Sequence, residues 1–181
     1  KLANRDYVRS ELYKEMVKIS TAYSKLYPGI YISYLDANFP FIDGFPLLPH
    51  LSHNDGKKID VSLMYNTKDG SLSTLKPSVS GYGIYEQPAL NEFKQTDNCK
   101  KAGNWQYYFP KYLSFGRTKK HLVFSENGTR QLMIQLLNSP DVDKIFIEPH
   151  LKTRMNLRDK RIRFHGCKSV RHDDHIHFQL K

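Results

Sequence analysis

The sequence predicts one folded domain that mixes helices with strands. Apolar residues recur at helical spacing in two segments and alternate with polar residues in two others: 5–26, 129–138, 59–65 and 175–180. A chain of 181 residues can bury a core, and 39% hydrophobic and 13% aromatic residues are typical of a folded protein. We therefore expect a single domain over 1–181, with an N-terminal helix within 1–28 packed on it.

The N-terminal third alternates regular and irregular segments. The first helix is capped by Asn4 or Asp6, and Pro28-Gly29 ends it. A strand follows over 30–35, and because both of its faces are apolar we expect it inside a sheet. Residues 36–52 form a proline-rich loop, which suits a segment that delivers side chains to a site.

The middle of the chain is the hardest part to interpret. A turn around Asp69-Gly70 follows the strand over 59–65. Residues 75–113 are irregular, with Gly81-Tyr82-Gly83 among several aromatic clusters. Such clusters more often cover a core than line a substrate groove, and we adopt the first interpretation.

The C-terminal third returns to regular structure. The helix over 129–138 is capped by Asn127 or Thr129. A short buried strand over 144–148 and a short helix over 149–156, with proline at its first position, follow it.

Charge and hydropathy narrow the classes of partner. Lys and Arg number 28 against 18 Asp and Glu, so the net charge is +10. This balance suits a polyanion such as nucleic acid, a membrane surface or a bacterial cell wall, or it only keeps the surface soluble. The basic segment 152–168 suits an acidic substrate, but it has no stacking pattern, so we expect no nucleic acid. No apolar run approaches the roughly 20 residues of a membrane span.

Histidine is concentrated near the C-terminus. His172, His175 and His177 are three of eight histidines and lie within six positions. Alternation places His175, His177 and Gln179 on one face of the strand and apolar residues on the other. Two imidazoles therefore project together, which favours a metal or proton-transfer site over an unliganded surface cluster.

A second set of ligand types precedes the strand over 59–65. Asp60 is at the start of that strand, and the turn Asn54-Asp55-Gly56 brings His53 back toward it. Taken alone, Asp60 can equally cap a turn while His53 is a surface residue. If the two strands share a sheet, His53, Asp60 and His177 surround one ion. Three protein ligands and an open position are typical of a catalytic zinc site.

The two cysteines form no C-x-x-C pair, so a zinc–thiolate site is not expected. Cys99 and Cys167 are either a disulfide in an exported protein or two buried thiols. Lys1 begins no recognisable signal peptide, so the chain is either cytoplasmic or a mature exported product.

Two short motifs together resemble a known family. They are His50-x-Ser52-His53-x-x-Gly56-x-x-x-Asp60 and His172-Asp173-Asp174-His175-x-His177. The pair is similar to the penicillin-insensitive murein endopeptidases, within the wider group of lysostaphin-like enzymes, D-alanyl-D-alanine peptidases and hedgehog domains. The shared pattern is His-x6-Asp followed by His-x-His, which here is His53, Asp60, His175 and His177.

The resemblance implies an α+β domain on a central antiparallel sheet with flanking helices. It also implies a Zn2+ ion bound by His53, Asp60 and His177, hydrolysis of peptidoglycan stem-peptide amide bonds, and a periplasmic or secreted location. Zinc would activate a water molecule, with His175 as general base and His172 as a second essential imidazole. The remaining motif residues, near the substrate or behind the ligands, are His50, Ser52, Asp173 and Asp174; either aspartate can orient His172 or His175, or only form the turn.

Departures from the family leave alternatives open. Pro49 replaces a usual glycine, and Lys57 and Lys58 fill positions that are commonly apolar or acidic. The alternatives are a carboxypeptidase, an endopeptidase for another crosslink, a hedgehog-like domain that binds zinc without catalysis, and a metal-dependent nuclease. The sequence does not give the oligomeric state.

Overall fold

The computed structural model describes residues 5–38, 44, 53–114 and 121–181. The helices are α1 (Ser10–Leu26), α2 (Gln95–Lys101), α3 (Glu126–Asn138) and α4 (Pro149–Arg154), with a 3-10 helix at Trp105–Leu113. The strands are β1 (Tyr34–Asp36), β2 (Lys58–Ser62), β3 (Tyr65–Asn66), β4 (Leu72–Ser73), β5 (Val123–Phe124), β6 (Val142–Phe146), β7 (Ile162–Arg163) and β8 (His175–Leu180). Within these ranges, no helix is both long and apolar enough to cross a bilayer. Most of the predicted loop 36–52, including His50 and Ser52, lies outside the described residues.

A five-stranded sheet in the order β1-β2-β8-β6-β7 forms the centre of the fold. Its pairs are antiparallel except for β6 and β7, which run parallel. The predicted mixture of a sheet and flanking helices is confirmed. The prediction of a purely antiparallel sheet is wrong at one edge, because α4 carries the chain across between β6 and β7 and returns it in the same direction.

Strand β8 lies in the middle of this sheet and sets the faces of its neighbours. Ile176 and Phe178 are fully buried on the core side. Asp60 of β2 pairs directly with His177 of β8, so the polar residues of both strands share the other face. The predicted pairing of these two segments is confirmed.

The predicted strand over 59–65 is divided between two sheets. Strand β2 ends at Ser62, and Tyr65 begins β3 of a small sheet ordered β4-β3-β5. Between them, the Met64 N–H donates to the Thr129 hydroxyl at 3.0 Å, and the Ser125 N–H donates to the Met64 carbonyl at 2.9 Å. These bonds to the start of α3 replace sheet bonds, so the prediction of one continuous strand was wrong.

The strand predicted over 30–35 is shorter and lies elsewhere. Strand β1 covers only Tyr34–Asp36 and is at the edge of the sheet, so the prediction of an internal strand was wrong. Ile30 and Ile32 do pack against the core, but Tyr31 between them is 71% exposed. The second apolar face of this segment is therefore exposed to solvent at Tyr31.

Helix α1 begins later than predicted. Residues 5–9 are extended: the Tyr7 N–H donates to the Asn38 carbonyl, and the Arg9 N–H to that of Gly56. Arg9 occupies the N-cap position without a side-chain cap bond, so the prediction of Asp6 as the cap was wrong, and the alternative, Asn4, lies outside the described residues. Buried Leu12 and Tyr23 belong to the same apolar cluster as the core face of β8, which agrees with one core.

Helix α3 is capped by Ser125, whose hydroxyl accepts a bond from the Gly128 N–H at 3.2 Å. The prediction of Asn127 or Thr129 as the cap was wrong because Thr129 is already inside the helix and holds Met64. By contrast, α4 begins at Pro149 as predicted.

The segment 75–113 is tied to the C-terminal half by a disulfide. Cys99 of α2 bonds to Cys167, 68 residues away, in the loop before β8. Of the two alternatives for the cysteines, the disulfide is the one found, and no free cysteine remains among the described residues. The loop that carries His172 is therefore fixed to a segment that is otherwise mostly irregular.

Replacing both cysteines by serine is expected to lower the free energy of unfolding. Closing a loop of 68 residues restricts the unfolded chain, an effect of about 4 kcal/mol in the loop-entropy model. Urea unfolding of Cys99→Ser/Cys167→Ser beside the oxidised parent measures it. Equal unfolding midpoints for the two proteins would contradict a stabilising crosslink.

Candidate metal centre

Three side chains from two distant parts of the chain meet at the polar face of the sheet. Asp60 and His177 are opposite each other on β2 and β8, and His53 precedes the turn that enters β2. His53 Nε2 lies 3.0 Å from His177 Nδ1 and 3.2 Å from Asp60 Oδ1, while His177 Nδ1 lies 2.9 Å from that same oxygen. The three form a buried group that can bind one metal ion.

The size of this triangle matches a tetrahedral ion. Ligand atoms about 2.0 Å from such an ion lie about 3.3 Å from one another. The three observed edges of 2.9, 3.0 and 3.2 Å approach that value. Two nitrogens and one carboxylate oxygen are also ligand types that a borderline divalent ion accepts.

The hydrogen bonds of His53 favour a cation between these atoms. Its Nδ1 lies 3.2 Å from the Ala37 carbonyl, which can only accept, so Nδ1 carries the proton. In the neutral ring, Nε2 then points a lone pair at the carboxylate of Asp60. A single proton on His177 Nδ1 cannot form a full hydrogen bond to both His53 Nε2 and Asp60 Oδ1. One metal ion, by contrast, can accept a lone pair from all three atoms. A ligand histidine held through its other nitrogen is typical of metal sites.

Burial keeps His177 in the form that binds metal. His53 and Asp60 are 0% exposed and His177 is 2% exposed. Burial lowers the pKa of His177 to about 3, although Asp60 opposes the shift. The ring is therefore neutral at ordinary pH, as a metal ligand must be.

His175 lies beside the triangle and is oriented by Asp174. Its Nδ1 is 2.5 Å from Asp174 Oδ1, and its Nε2 is 3.6 Å from Asp60 Oδ2. With the Nδ1 proton donated to Asp174, Nε2 is the basic nitrogen and is turned toward the metal ligands. Of the two aspartates that the sequence leaves open, Asp174 is the one that contacts His175.

Sequence comparison adds no family to this geometry. No protein-family model and no curated protein matches the chain.

His172 belongs to a cluster of rings around the centre. Its ring centroid lies 4.8 Å from that of His175 and 5.9 Å from that of His177. Burial, followed by the neighbouring His175, lowers the pKa of His172 well below its usual range, so it is a neutral imidazole. His165 lies 5.2 Å from His172 and stacks on Phe146 at 4.1 Å, which makes it a neighbour of the centre.

Asp173 points away from these imidazoles. Its carboxylate forms a two-bond ion pair with the guanidinium of Arg171, and both side chains are fully buried. Arg171 also covers the ring of Tyr85 at 3.9 Å, and His150 Nε2 lies 3.7 Å from Asp173. Of the roles that the sequence leaves open for Asp173, orientation of His172 or His175 is not seen, because its carboxylate pairs with Arg171. His150 is a supporting residue that donates to the Glu86 carbonyl at 2.7 Å.

Much of the basic segment 152–168 is engaged in internal structure. Lys152 donates to the Ile162 carbonyl at 2.7 Å, and Arg161 to that of Leu137 at 2.6 Å. Arg154 pairs with Glu92, and its hydrogen bond lowers the pKa of that carboxyl to about 2. These three cations are therefore poor candidates for binding an acidic substrate.

Tyr82 contacts a candidate ligand, and sequence reasoning did not identify it as a site residue. The Tyr82 hydroxyl donates to Asp60 Oδ2 at 2.7 Å. Burial and then the nearby Asp60 raise the pKa of Tyr82 well above its usual value, so the hydroxyl keeps the proton that it donates. The only available signal was the tripeptide Gly81-Tyr82-Gly83, because a tyrosine 22 residues from Asp60 follows no periodic pattern.

Proposed function

We propose that this protein is a zinc-dependent peptidase that hydrolyses an amide bond in peptidoglycan stem peptides or crosslinks. The observation that carries the proposal is the triangle of His53, Asp60 and His177 with His175 beside it. The motif resemblance supplies the substrate class. The net charge of +10 agrees with a polyanionic cell wall as the substrate's surroundings.

Zinc is the ion that this donor set suits best. Two imidazoles and one carboxylate are a frequent set of ligands in catalytic zinc sites, and the fourth position is left for water or substrate. When bound, zinc acts as a Lewis acid on a carbonyl and lowers the pKa of a water molecule to about 7.

The residues beside the ligands supply proton transfer. His175 Nε2 accepts a proton from the attacking water, and Asp174 stabilises the resulting imidazolium through Nδ1. Nε2 then gives this proton to the leaving amine, so His175 ends the cycle neutral. His172 stays uncharged, with its ring centroid 4.8 Å from that of His175, and is the second imidazole of the proposed site.

The disulfide supports a location outside the cytoplasm. Structural disulfides persist mainly in oxidising compartments such as the periplasm or the medium outside a cell. Cys99–Cys167 therefore agrees with a periplasmic or secreted enzyme, where peptidoglycan is also found.

Mass spectrometry of defined muropeptides tests the proposal. Zinc-loaded protein is incubated with a crosslinked dimer and with a monomer that ends in D-Ala-D-Ala, and chelator-treated protein is the control. Cleavage of the dimer into monomers indicates an endopeptidase, and loss of one alanine from the monomer a carboxypeptidase. Zinc-loaded protein that leaves both substrates intact would contradict the proposal and favour a binding domain of the hedgehog kind.

A further inference from the structure

The two carboxylate oxygens of Asp60 have different partners, and Tyr82 binds one of them. Oδ1 faces His53 Nε2 and His177 Nδ1 at 3.2 and 2.9 Å. Oδ2 accepts the Tyr82 hydroxyl at 2.7 Å, and Tyr82 is only 6% exposed. An oxygen that holds a buried hydroxyl proton is a weaker electron donor, so the tyrosine favours a carboxylate that presents Oδ1 alone to the ion.

The same tyrosine and the residue after it also contact the candidate base. The Tyr82 ring meets the His175 ring edge to face, with centroids 4.9 Å apart and planes at 79°. The Gly83 N–H donates to Asp174 Oδ2 at 2.6 Å, and Asp174 Oδ1 holds His175 Nδ1 at 2.5 Å. Two consecutive residues thus fix both a metal ligand and the carboxylate that orients the base.

The two flanking glycines hold this segment in place. Gly81 and Gly83 have φ of +93° and +81°, which a residue with a side chain rarely adopts. A Cβ at Gly81 would lie 2.3 Å from a methyl group of Leu35, and one at Gly83 would lie 2.8 Å from the Pro110 carbonyl oxygen. The tripeptide therefore lies between β1 and the 3-10 helix, with no room for a side chain at either glycine.

We infer that Tyr82 is a positioning residue that keeps Asp60 as a one-oxygen metal ligand, and that the Tyr82-Gly83 backbone links this carboxylate to the orientation of His175. The inference deepens the proposed function, since it rests on the metal centre of that proposal. It gives Gly81-Tyr82-Gly83 a role at the metal centre, whereas the sequence alone predicted only that this tripeptide covers the core.

Tyr82→Phe tests the inference because it removes the hydroxyl and keeps the ring. Tyr23→Phe is a matched control: Tyr23 is also buried, and its hydroxyl donates to the Gly128 carbonyl at 3.1 Å in the core between α1 and α3. Zinc affinity is measured by competition with a chromophoric chelator. Loss of a partner behind a ligand typically weakens metal binding 10- to 100-fold, and we expect a loss of about that size for Tyr82→Phe and none for Tyr23→Phe.

Cobalt substitution provides a second measurement that a merely structural role would not move. If Asp60 begins to use both oxygens in Tyr82→Phe, the coordination number rises and the visible absorption of bound Co2+ weakens. Thermal unfolding of each metal-free variant checks folding, with an expected fall of roughly 2–4 °C for one lost hydrogen bond in either protein.

Each outcome has a separate meaning. Equal zinc affinities and equal cobalt spectra for wild type and Tyr82→Phe would overturn the inference, and so would a Tyr82→Phe chain that is unfolded while Tyr23→Phe is folded. Wild-type protein that takes up no zinc would overturn both the inference and the metal centre. If wild type binds zinc and Tyr82→Phe shows the expected loss of zinc affinity, but wild type does not cleave muropeptides, the inference is supported and only the proposed peptidase activity is excluded.

Discussion

Replacing His177 with alanine is expected to abolish zinc binding and peptide hydrolysis together. His177 Nδ1 is 3.0 Å from His53 Nε2 and 2.9 Å from Asp60 Oδ1, so its loss leaves only two of the three candidate ligands, His53 and Asp60. Two protein ligands do not form the three-ligand set of a catalytic zinc site. Elemental analysis after dialysis should find about one zinc per wild-type chain and almost none in the variant.

The matched control is His121→Ala, which removes an exposed imidazole. That variant should keep both its zinc and its activity. Stoichiometric zinc in folded His177→Ala would show that the ion binds elsewhere, and full activity of a metal-free wild-type preparation would exclude a catalytic metal. Circular dichroism of each variant separates loss of the ligand from loss of the fold.

Replacing His175 with alanine is expected to separate metal binding from turnover. None of the three edges of the ligand triangle involves His175, so the zinc content should match that of wild type. Its Nε2 is the proposed base, and removing a general base typically costs about 10²- to 10⁴-fold in rate. Steady-state cleavage of the muropeptide that wild type accepts measures the loss.

Asp174→Asn makes the test of His175 more specific. The amide cannot stabilise an imidazolium as a carboxylate does, so we expect an intermediate rate with zinc retained. A zinc-loaded His175→Ala protein with nearly the wild-type rate would remove His175 as the base. Loss of zinc from this variant would instead make His175 part of the ligand set.

The centre of the site was predictable because it depends on strand periodicity. Alternation in β8 fixes His175 and His177 on one face whatever the rest of the chain does. Alternation in β2 does the same for Asp60, and matching the two polar faces leaves few pairings open. These features are local, so a pattern within a few residues determines them.

What the sequence did not reveal depends on contacts between distant segments. Strand β2 ends at Ser62 because Thr129 binds the backbone of Met64, 65 residues away. Asp173 and Asp174 are identical neighbours in a turn, and distant partners distinguish them: buried Arg171 pairs with Asp173, and the Gly83 N–H holds the Asp174 carboxylate that reaches His175. Tyr82 lies in an irregular segment, where no periodic pattern predicts the side to which a side chain points.

The separation of the ligands along the chain has a consequence for folding. His53 and His177 are 124 residues apart, and strand β8, which carries one of them, is at the end of the described chain. A disordered polypeptide brings such remote groups together only at a large entropic cost, so it cannot offer the ion a preformed cage. A metal ion that uses all three side chains can therefore bind only after β8 has paired with β2, and a bound ion would mark a molecule in which these two strands have come together.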